Sequence, residues 1–358
     1  MTDENIRRQA AIVLWLLAVC VLLFLMIVLG GLTRLTESGL SIVEWKPLTG
    51  WIPPLDDAAW QELFHKYRSS PEYLKINRGM TLDQFKGIFW LEFIHRLWGR
   101  LIGFAFAVPL AIFWWRGGLD RKLKFHLAAA FLLGAAQGAL GWLMVASGLV
   151  DDPRVSPYRL AAHFGLGVFL YGYLFWLATG RIDLERQVGP GPGSPAVRRR
   201  AFGILGIAVV TMLSGALVAG LDAGRAYNTF PLMAGRVIPD GYFALGATFG
   251  NMFENIAAVQ FNHRMLATLT LLLALGFGFH ARRARGNPRL WRAILLVPAA
   301  ALAQYGLGVM TLLNHVPVAL GAAHQAMAII LFTALLWVAR IAGIAPAKPL
   351  QTRAIRAN

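Results

Sequence analysis

Long apolar stretches alternate with short charged ones along the whole chain. Eight of them reach about 20 residues, the length that crosses a bilayer as a helix: 10–32, 87–115, 124–149, 159–180, 201–221, 256–280, 291–313 and 317–341. None alternates with the two-residue period of a barrel strand, and a backbone in lipid must satisfy its own hydrogen bonds. The pattern therefore predicts an all-α polytopic membrane protein with eight transmembrane helices. A long loop, 33–86, separates the first two stretches and is broken by Pro47, Gly50, Pro53 and Pro54. Within it, 56–73 has the mixed pattern of a short surface helix; loops of this length usually carry function.

Composition agrees with that reading. At 358 residues the length would suit two or three soluble domains, but 57% of the residues are hydrophobic. The formal net charge of +16 would suit a nucleic-acid partner if it were spread over one face. It is not. Arg7 and Arg8 precede the first helix; Arg116, Arg121, Lys122 and Lys124 join helices 2 and 3; Arg181, Arg186 and Arg198 to Arg200 join 4 and 5. Arg282, Arg283, Arg285, Arg289 and Arg292 join 6 and 7, and Lys348, Arg353 and Arg356 follow the last helix, while the alternate connections carry few. The positive-inside rule then predicts both termini in the cytoplasm and no nucleic-acid role. Helix 1 has no small-residue cleavage site at its end and is expected to be retained. The single cysteine, Cys20, excludes a disulfide framework and is expected to pack in the membrane core.

Polar residues inside membrane helices are costly and mark function by default. Helix 2 carries Glu92, His95 and Arg96, which share one face at about 100° per residue. Helix 6 carries a near-copy, Gln260-Phe261-Asn262-His263-Arg264. Ala161-Ala162-His163 opens helix 4 and Ala322-Ala323-His324 opens helix 8, while Gln137 with its glycines in helix 3 is echoed by Gln304 in helix 7. The spacings agree: 68 residues separate His95 from His163, and 61 separate His263 from His324. The expected organisation is two parallel four-helix repeats, residues 1–185 and 201–358, joined by a cytoplasmic linker, 186–200, that contains Gly189–Pro195.

All four histidines then lie at similar depth near the outer face. Imidazoles on separate helices at one depth are the usual axial ligands of haem iron. The residue one turn on from each is small (Gly99, Gly167, Ala267, Ala328), which suits a flat macrocycle, although small residues also serve plain helix packing. Zinc is disfavoured because no carboxylate or cysteine accompanies the second histidine pair and the H-E-x-x-H motif is absent. The repeat breaks its symmetry at Glu92, matched by Gln260, so only the first half has an ionisable group beside its histidines. The residues thus predict two haem sites, one for electron transfer and one, in the N-terminal half, for chemistry. Two readings stay open for Glu92: a proton donor or acceptor at the site, or simply an i,i+4 partner of Arg96. Arg96 and Arg264 are candidates to neutralise haem propionates, or interfacial anchors. His315 is a lesser candidate for touching a cofactor; His65 is expected in solvent, and His126 and His280 at the interface. A dihaem electron-transfer cytochrome and a haem-handling protein remain alternatives on the residues alone.

Six stretches resemble the haem A synthase family of bacteria and mitochondria. They are GGLTRLTESGLSIVEWKPLTGWIPP (30–54), EFIHRLWG (92–99), GWLMVASGLVDDPRVSPYRLAAHFG (141–165), GLDAGRAYNTFPLM (220–233), QFNHRML (260–266) and TLLNHVPVALGAAHQ (311–325). The resemblance implies oxidation of a ring methyl of haem O to a formyl group by successive hydroxylations, giving haem A for cytochrome oxidase. It implies a haem b held by His263 and His324, substrate haem O near His95 and His163, and a carboxylate at Glu92 needed for turnover. It places the chain in the bacterial inner membrane, with haem O synthase and cytochrome oxidase assembly factors as partners and an electron donor it does not identify. Some relatives carry a cysteine pair in an outer loop; this chain has none there, so no redox role of such a pair is carried over.

Overall fold

The structure is a computed structural model that describes residues 3–46, 49–150, 153, 155–185, 194–279 and 287–343. Most of the linker segment Gly189–Pro195, as well as His280 and the arginines and lysines of 280–286 and 344–358, falls outside the described residues. Eight long helices form the membrane-crossing body: α1 (Asp3–Leu35), α4 (Leu82–Trp115), α5 (Arg121–Gly148), α6 (Pro157–Glu185), α7 (Pro195–Gly220), α9 (Ile256–Gly278), α10 (Pro288–Leu313) and α11 (Val318–Ile341). Each contains a window long and apolar enough to span a bilayer. Three short helices, α2 (Asp57–Arg68), α3 (Pro71–Lys75) and α8 (Asn251–Glu254), lie in the two long connections, and no β-strand forms among the described residues.

Most helices overrun their apolar stretches because the ends are set by caps, not by hydropathy. Thr81 and Gln84 form a reciprocal capping box that starts α4 ahead of the apolar run. Asp120 and Asn287 cap α5 and α10 through their side chains. The linker expected at 186–200 is shorter than that, since Pro195 sits in the first turn of α7 and Arg198 to Arg200 are helical. The surface helix expected at 56–73 is instead two: Asp56 caps α2, and Ser70 with Pro71 starts α3.

The body packs as a double array. α1 runs against α4, α6 and α11; α7 runs against α6, α9 and α11. The core between them is aliphatic and aromatic, with Ile12, Leu16, Leu127, Leu174, Ile294, Ile329 and Leu335 fully buried. Cys20 belongs to it, with its Sγ 4.0 Å from the Tyr171 carbonyl. Two ion pairs tie the end of α1 to the end of α7: Arg34 donates to Asp222 at 3.0 Å and to the Ala219 carbonyl at 2.7 Å, and Arg225 lies 3.7 Å from Glu37. Lower down, Gln325 of α11 donates to the Ile27 carbonyl of α1 at 2.7 Å.

The connection between α1 and α4 has its own aromatic core of Trp60, Tyr67, Phe85, Phe89 and Phe93. Beside it, Glu72 is 4% exposed and hydrogen bonds with Tyr67, while its Oε2 has no partner. Burial pushes the Glu72 carboxyl up to about 7, and the charges of Glu92 and Glu37 add to the effect. The sign follows directly. Below the ordinary glutamate value, 4.5, folded and unfolded chains both hold the proton. Between there and about 7 only the folded chain keeps it, so stability is lost as pH rises, by roughly 3 kcal/mol in all. Limited proteolysis of this loop in the purified protein should therefore speed up from pH 5 to pH 8. Glu72→Gln should flatten that dependence; an equally steep profile in the variant would remove Glu72 as its source.

Candidate functional site

The four histidines sit toward the same end of the bundle, the end that carries the long α1–α4 connection. His95 lies in the neighbourhood of His163, and His263 in that of His324. Each of the four residues is half-buried within the helical body. Each also faces a glycine on the preceding long helix. A β-carbon at Gly30 of α1 would lie 3.8 Å from His95 Nε2, and one at Gly141 of α5 would lie 3.0 Å from His163 Cε1. At Gly215 of α7 and Gly308 of α10 the distances to His263 and His324 Cε1 are 3.0 and 2.8 Å. These glycines let the helix backbone approach the ring, and a methyl group at the last three would displace it.

The small residues one turn on from the histidines do something different. At Gly99 the freed space faces Met26, and at Gly167 it takes the side-chain amide of Gln137. Gln137 donates to the His163 carbonyl at 2.9 Å, and its amide nitrogen lies 3.5 Å from His163 Nε2; Gln304 stands likewise 3.4 Å from His324 Nε2. Ser214 Oγ lies 2.8 Å from His263 Nδ1. The echo of Gln137 in Gln304 was visible in the sequence, but the roles of Ser214, Gly30 and Gly215 beside the rings were not, because no polar or periodic signal marks a glycine that meets a side chain from another helix.

Glu92 is 2% exposed and accepts three hydrogen bonds: from Ser41 Oγ at 2.7 Å, from the Ile42 N–H at 2.8 Å and from Arg96 Nη2 at 2.6 Å. Arg96 also donates to the carbonyls of Ile42 (2.9 Å) and Glu44 (3.0 Å). The i,i+4 pair is thus present, and it clamps the start of the long loop onto α4. The second half repeats the clamp without the carboxylate. Gln260 donates to the Tyr227 carbonyl at 3.2 Å, and Arg264 donates to the carbonyls of Tyr227 (2.6 Å) and Thr229 (2.8 Å). Gln260 Oε1 and Arg264 Nε are buried without partners. An amide stands where the first half has a charge.

Other candidates lie apart. His65 is exposed, and His315 is exposed in a tight turn at φ 59°. His126 is not a plain interfacial anchor: its Nδ1 lies 2.7 Å from the Tyr173 hydroxyl of α6.

The residues fit haem iron better than zinc. Among the described residues no three or more of His, Cys, Asp and Glu gather into one metal-binding group, whereas structural and catalytic zinc takes three or four protein ligands. Two imidazoles per site from separate helices match axial haem ligation. Nδ1 of His163 and of His324, and Oε1 of Gln137 and of Gln304, are buried without a hydrogen-bond partner. Buried polar atoms are normally satisfied, so these four atoms leave bonding capacity that a bound polar or metal-bearing group would meet.

Comparison with known proteins gives a consistent answer. The family model described as cytochrome oxidase assembly protein, COX15-CtaA, matches residues 13–336. A protein of Nitrosomonas eutropha named Heme A synthase is 48% identical over 341 residues, covering 95% of this chain and 96% of its own. Another of that name from Paramagnetospirillum magneticum is 50% identical, covering 92% of this chain and 93% of its own. A third, from Nitrosospira multiformis, is 47% identical over 94% and 95%. With a match of this length on a chain of eight membrane-length helices, the protein belongs to the COX15-CtaA family of cytochrome oxidase assembly proteins.

Proposed function

We propose that this chain is a membrane oxidoreductase that converts haem O to haem A by oxidising one ring methyl to a formyl group. A single observation carries the reading: relatives named Heme A synthase match it at 47–50% identity over nearly its whole length. The geometry supports it: two histidines recur in each half, and only the first half has a buried carboxylate, Glu92, three residues from one of them on the same helix.

The two halves divide the work. His263 and His324 would hold a resident haem b, and His95 and His163 would face the substrate haem O. Bound haem supplies the redox chemistry; the chain supplies binding, orientation and proton handling. Ser214 fixes the ring of His263 by its contact with Nδ1, a hydrogen-bonded arrangement that sets tautomer and orientation in metal-ligating histidines. Glu92 holds or moves a proton at its carboxylate oxygens, two of whose donors, Ser41 and Ile42, come from the loop above the site. Arg96 and Arg264 steady the loop starts through their bonds to backbone carbonyls, and their charge would offset haem propionates. The two halves are a parallel repeat, supported by the matching glycine, glutamine and histidine contacts. The charge distribution supports an inner-membrane protein with cytoplasmic termini and both sites near the outer face.

The test is chromatography of haem extracted from membranes of a host that makes haem O but not haem A. The wild-type chain should yield the formyl haem. Glu92→Gln should cut the yield by about 100-fold, the usual worth of a positioned proton-transfer group, with haem O or a hydroxylated haem accumulating. Properly inserted wild-type protein that returns only haem b and untouched haem O would leave a dihaem electron-transfer cytochrome as the better reading.

A further inference from the structure

The two halves match in their histidines but not in how tightly the helices around them close. α9 and α10 pack against each other along much of their length, while α4 and α5, which hold the corresponding places, touch at few positions. Only 6% of the apolar window of α4 and of α5 is buried within the protein, against 28% for α9 and for α10. The difference has identifiable causes. In the second half a hydrogen bond between Thr268 of α9 and Tyr305 of α10, 3.0 Å long, bridges the pair, and Phe230 packs edge-on to Tyr305. Counting from the histidines and glutamines, Thr268 corresponds to Arg100 and Tyr305 to Gly138. Ala301, buried in α10, likewise corresponds to the exposed Gly134 of α5.

The gap between α4 and α5 has defined limits. Away from the histidine end, Phe106 of α4 stacks on Phe131 of α5 at 6.5 Å and closes it. Gly103 lies one turn from Phe106, and Gly134 and Gly138 lie one and two turns from Phe131 on the same faces, so all three look across the gap. A β-carbon at any of them would meet nothing within 4 Å. At the histidine end the long loop roofs the gap. Trp45 touches Trp142 of α5 at 6.4 Å and lies under the Arg96 guanidinium of α4. Farther along α4, level with Gly103, the same loop descends beside the helix: Trp51 meets Phe104 at 5.4 Å, beneath Arg100, which donates to the Lys46 carbonyl at 2.8 Å. Gln137, with its unpartnered Oε1, stands beside Gly138 and links this opening to His163.

We propose that the gap between α4 and α5 is a side opening to the lipid through which haem O reaches and leaves the His95–His163 site, with its isoprenoid chain lying between Gly103, Gly134 and Gly138. The proposal rests on the reading that haem O is the substrate. The occupant follows from the asymmetry. A resident haem b has no long apolar chain and never needs to leave, which suits the latched α9–α10 pair. Haem O carries an isoprenoid chain that is at ease in hydrocarbon and must exchange with product at every turnover, which suits a slot open at membrane depth and floored by aromatic rings.

Gly138→Trp fills the slot from α5 and Gly103→Trp fills it from α4, both in the full-length chain in membranes of the haem O-producing host. Gly206→Trp on α7, an exposed glycine whose β-carbon also meets nothing within 4 Å, is the control for bulk alone. Haem A in the extract should fall at least tenfold in the two slot variants and stay at the wild-type level in the control. The haem b spectrum of the purified protein should be unchanged in all three. If Gly138→Trp loses haem b through misfolding, Gly103→Trp decides. Wild-type haem A output from a slot variant that is correctly inserted overturns the opening while leaving the synthase reading intact. A wild-type chain that makes no haem A overturns the synthase reading, and the opening falls with it.

Discussion

His263→Ala is expected to abolish the haem b spectrum of the purified protein and haem A formation together. His95→Ala is expected to abolish haem A formation and leave that spectrum in place. The two pairs lie on different helix sets, His95 and His163 on α4 and α6, His263 and His324 on α9 and α11, so removing one ring leaves the other pair's surroundings untouched. Each loss should exceed about 100-fold, since even groups that only orient a metal ligand are worth about 10–100-fold in affinity or activity. Ser214→Ala supplies the graded version. It removes the 2.8 Å contact to His263 Nδ1 and should shift the spectrum or potential of the resident haem while leaving it bound. The readouts are the reduced spectrum of the purified protein and the haem content of the membranes. A His95→Ala protein that loses the spectrum while His263→Ala keeps it would reverse the assignment of the two halves.

Much of this was legible in the order of residues. Hydropathy alone located all eight spans, because an apolar run of membrane length leaves the backbone no alternative to a helix. The helix ends were less legible. Thr81 with Gln84, and Pro195, start helices through capping chemistry that a hydropathy window passes over. The four histidines stood out because imidazoles are rare in membrane helices and these recur at matched spacing. What surrounds them did not. Ser41 and Ile42 lie about 50 residues before Glu92, and their bonds to it arise only when the loop folds back onto α4. Glu72 falls in 56–73, whose mixed pattern is that of a surface helix, yet it is buried against Tyr67. The unequal closure of the two halves was also hidden, since Gly138 and Tyr305 each look ordinary until the matching of Gln137 with Gln304 sets them side by side.

Leucine at Gly308 is expected to strip the resident haem as effectively as loss of a ligand would. The β-carbon alone would stand 2.8 Å from His324 Cε1, and the branched side chain leaves the ring no room on that side. α10 is packed between α9 and α11, and its end is tied to the α7–α9 connection by Asn228, which donates to the Leu312 carbonyl at 2.8 Å, so the helix cannot simply recede. Overpacking of a formed site costs about 1–3 kcal/mol, roughly a 5- to 150-fold loss of occupancy, and the ring moves off axis as well. The same change at Gly141 presses on His163, with its β-carbon 3.0 Å from Cε1, and should lower haem A formation while the haem b spectrum stays whole. Gly306→Leu serves as the control two residues from Gly308, where a β-carbon meets nothing within 4 Å. The contrast separates a steric effect on the ring from a general weakening of α10. Equal haem b content in the Gly308 and Gly306 variants would mean that the close approach of helix to imidazole is incidental. Loss confined to Gly308 would make that approach part of how the chain sets its haem.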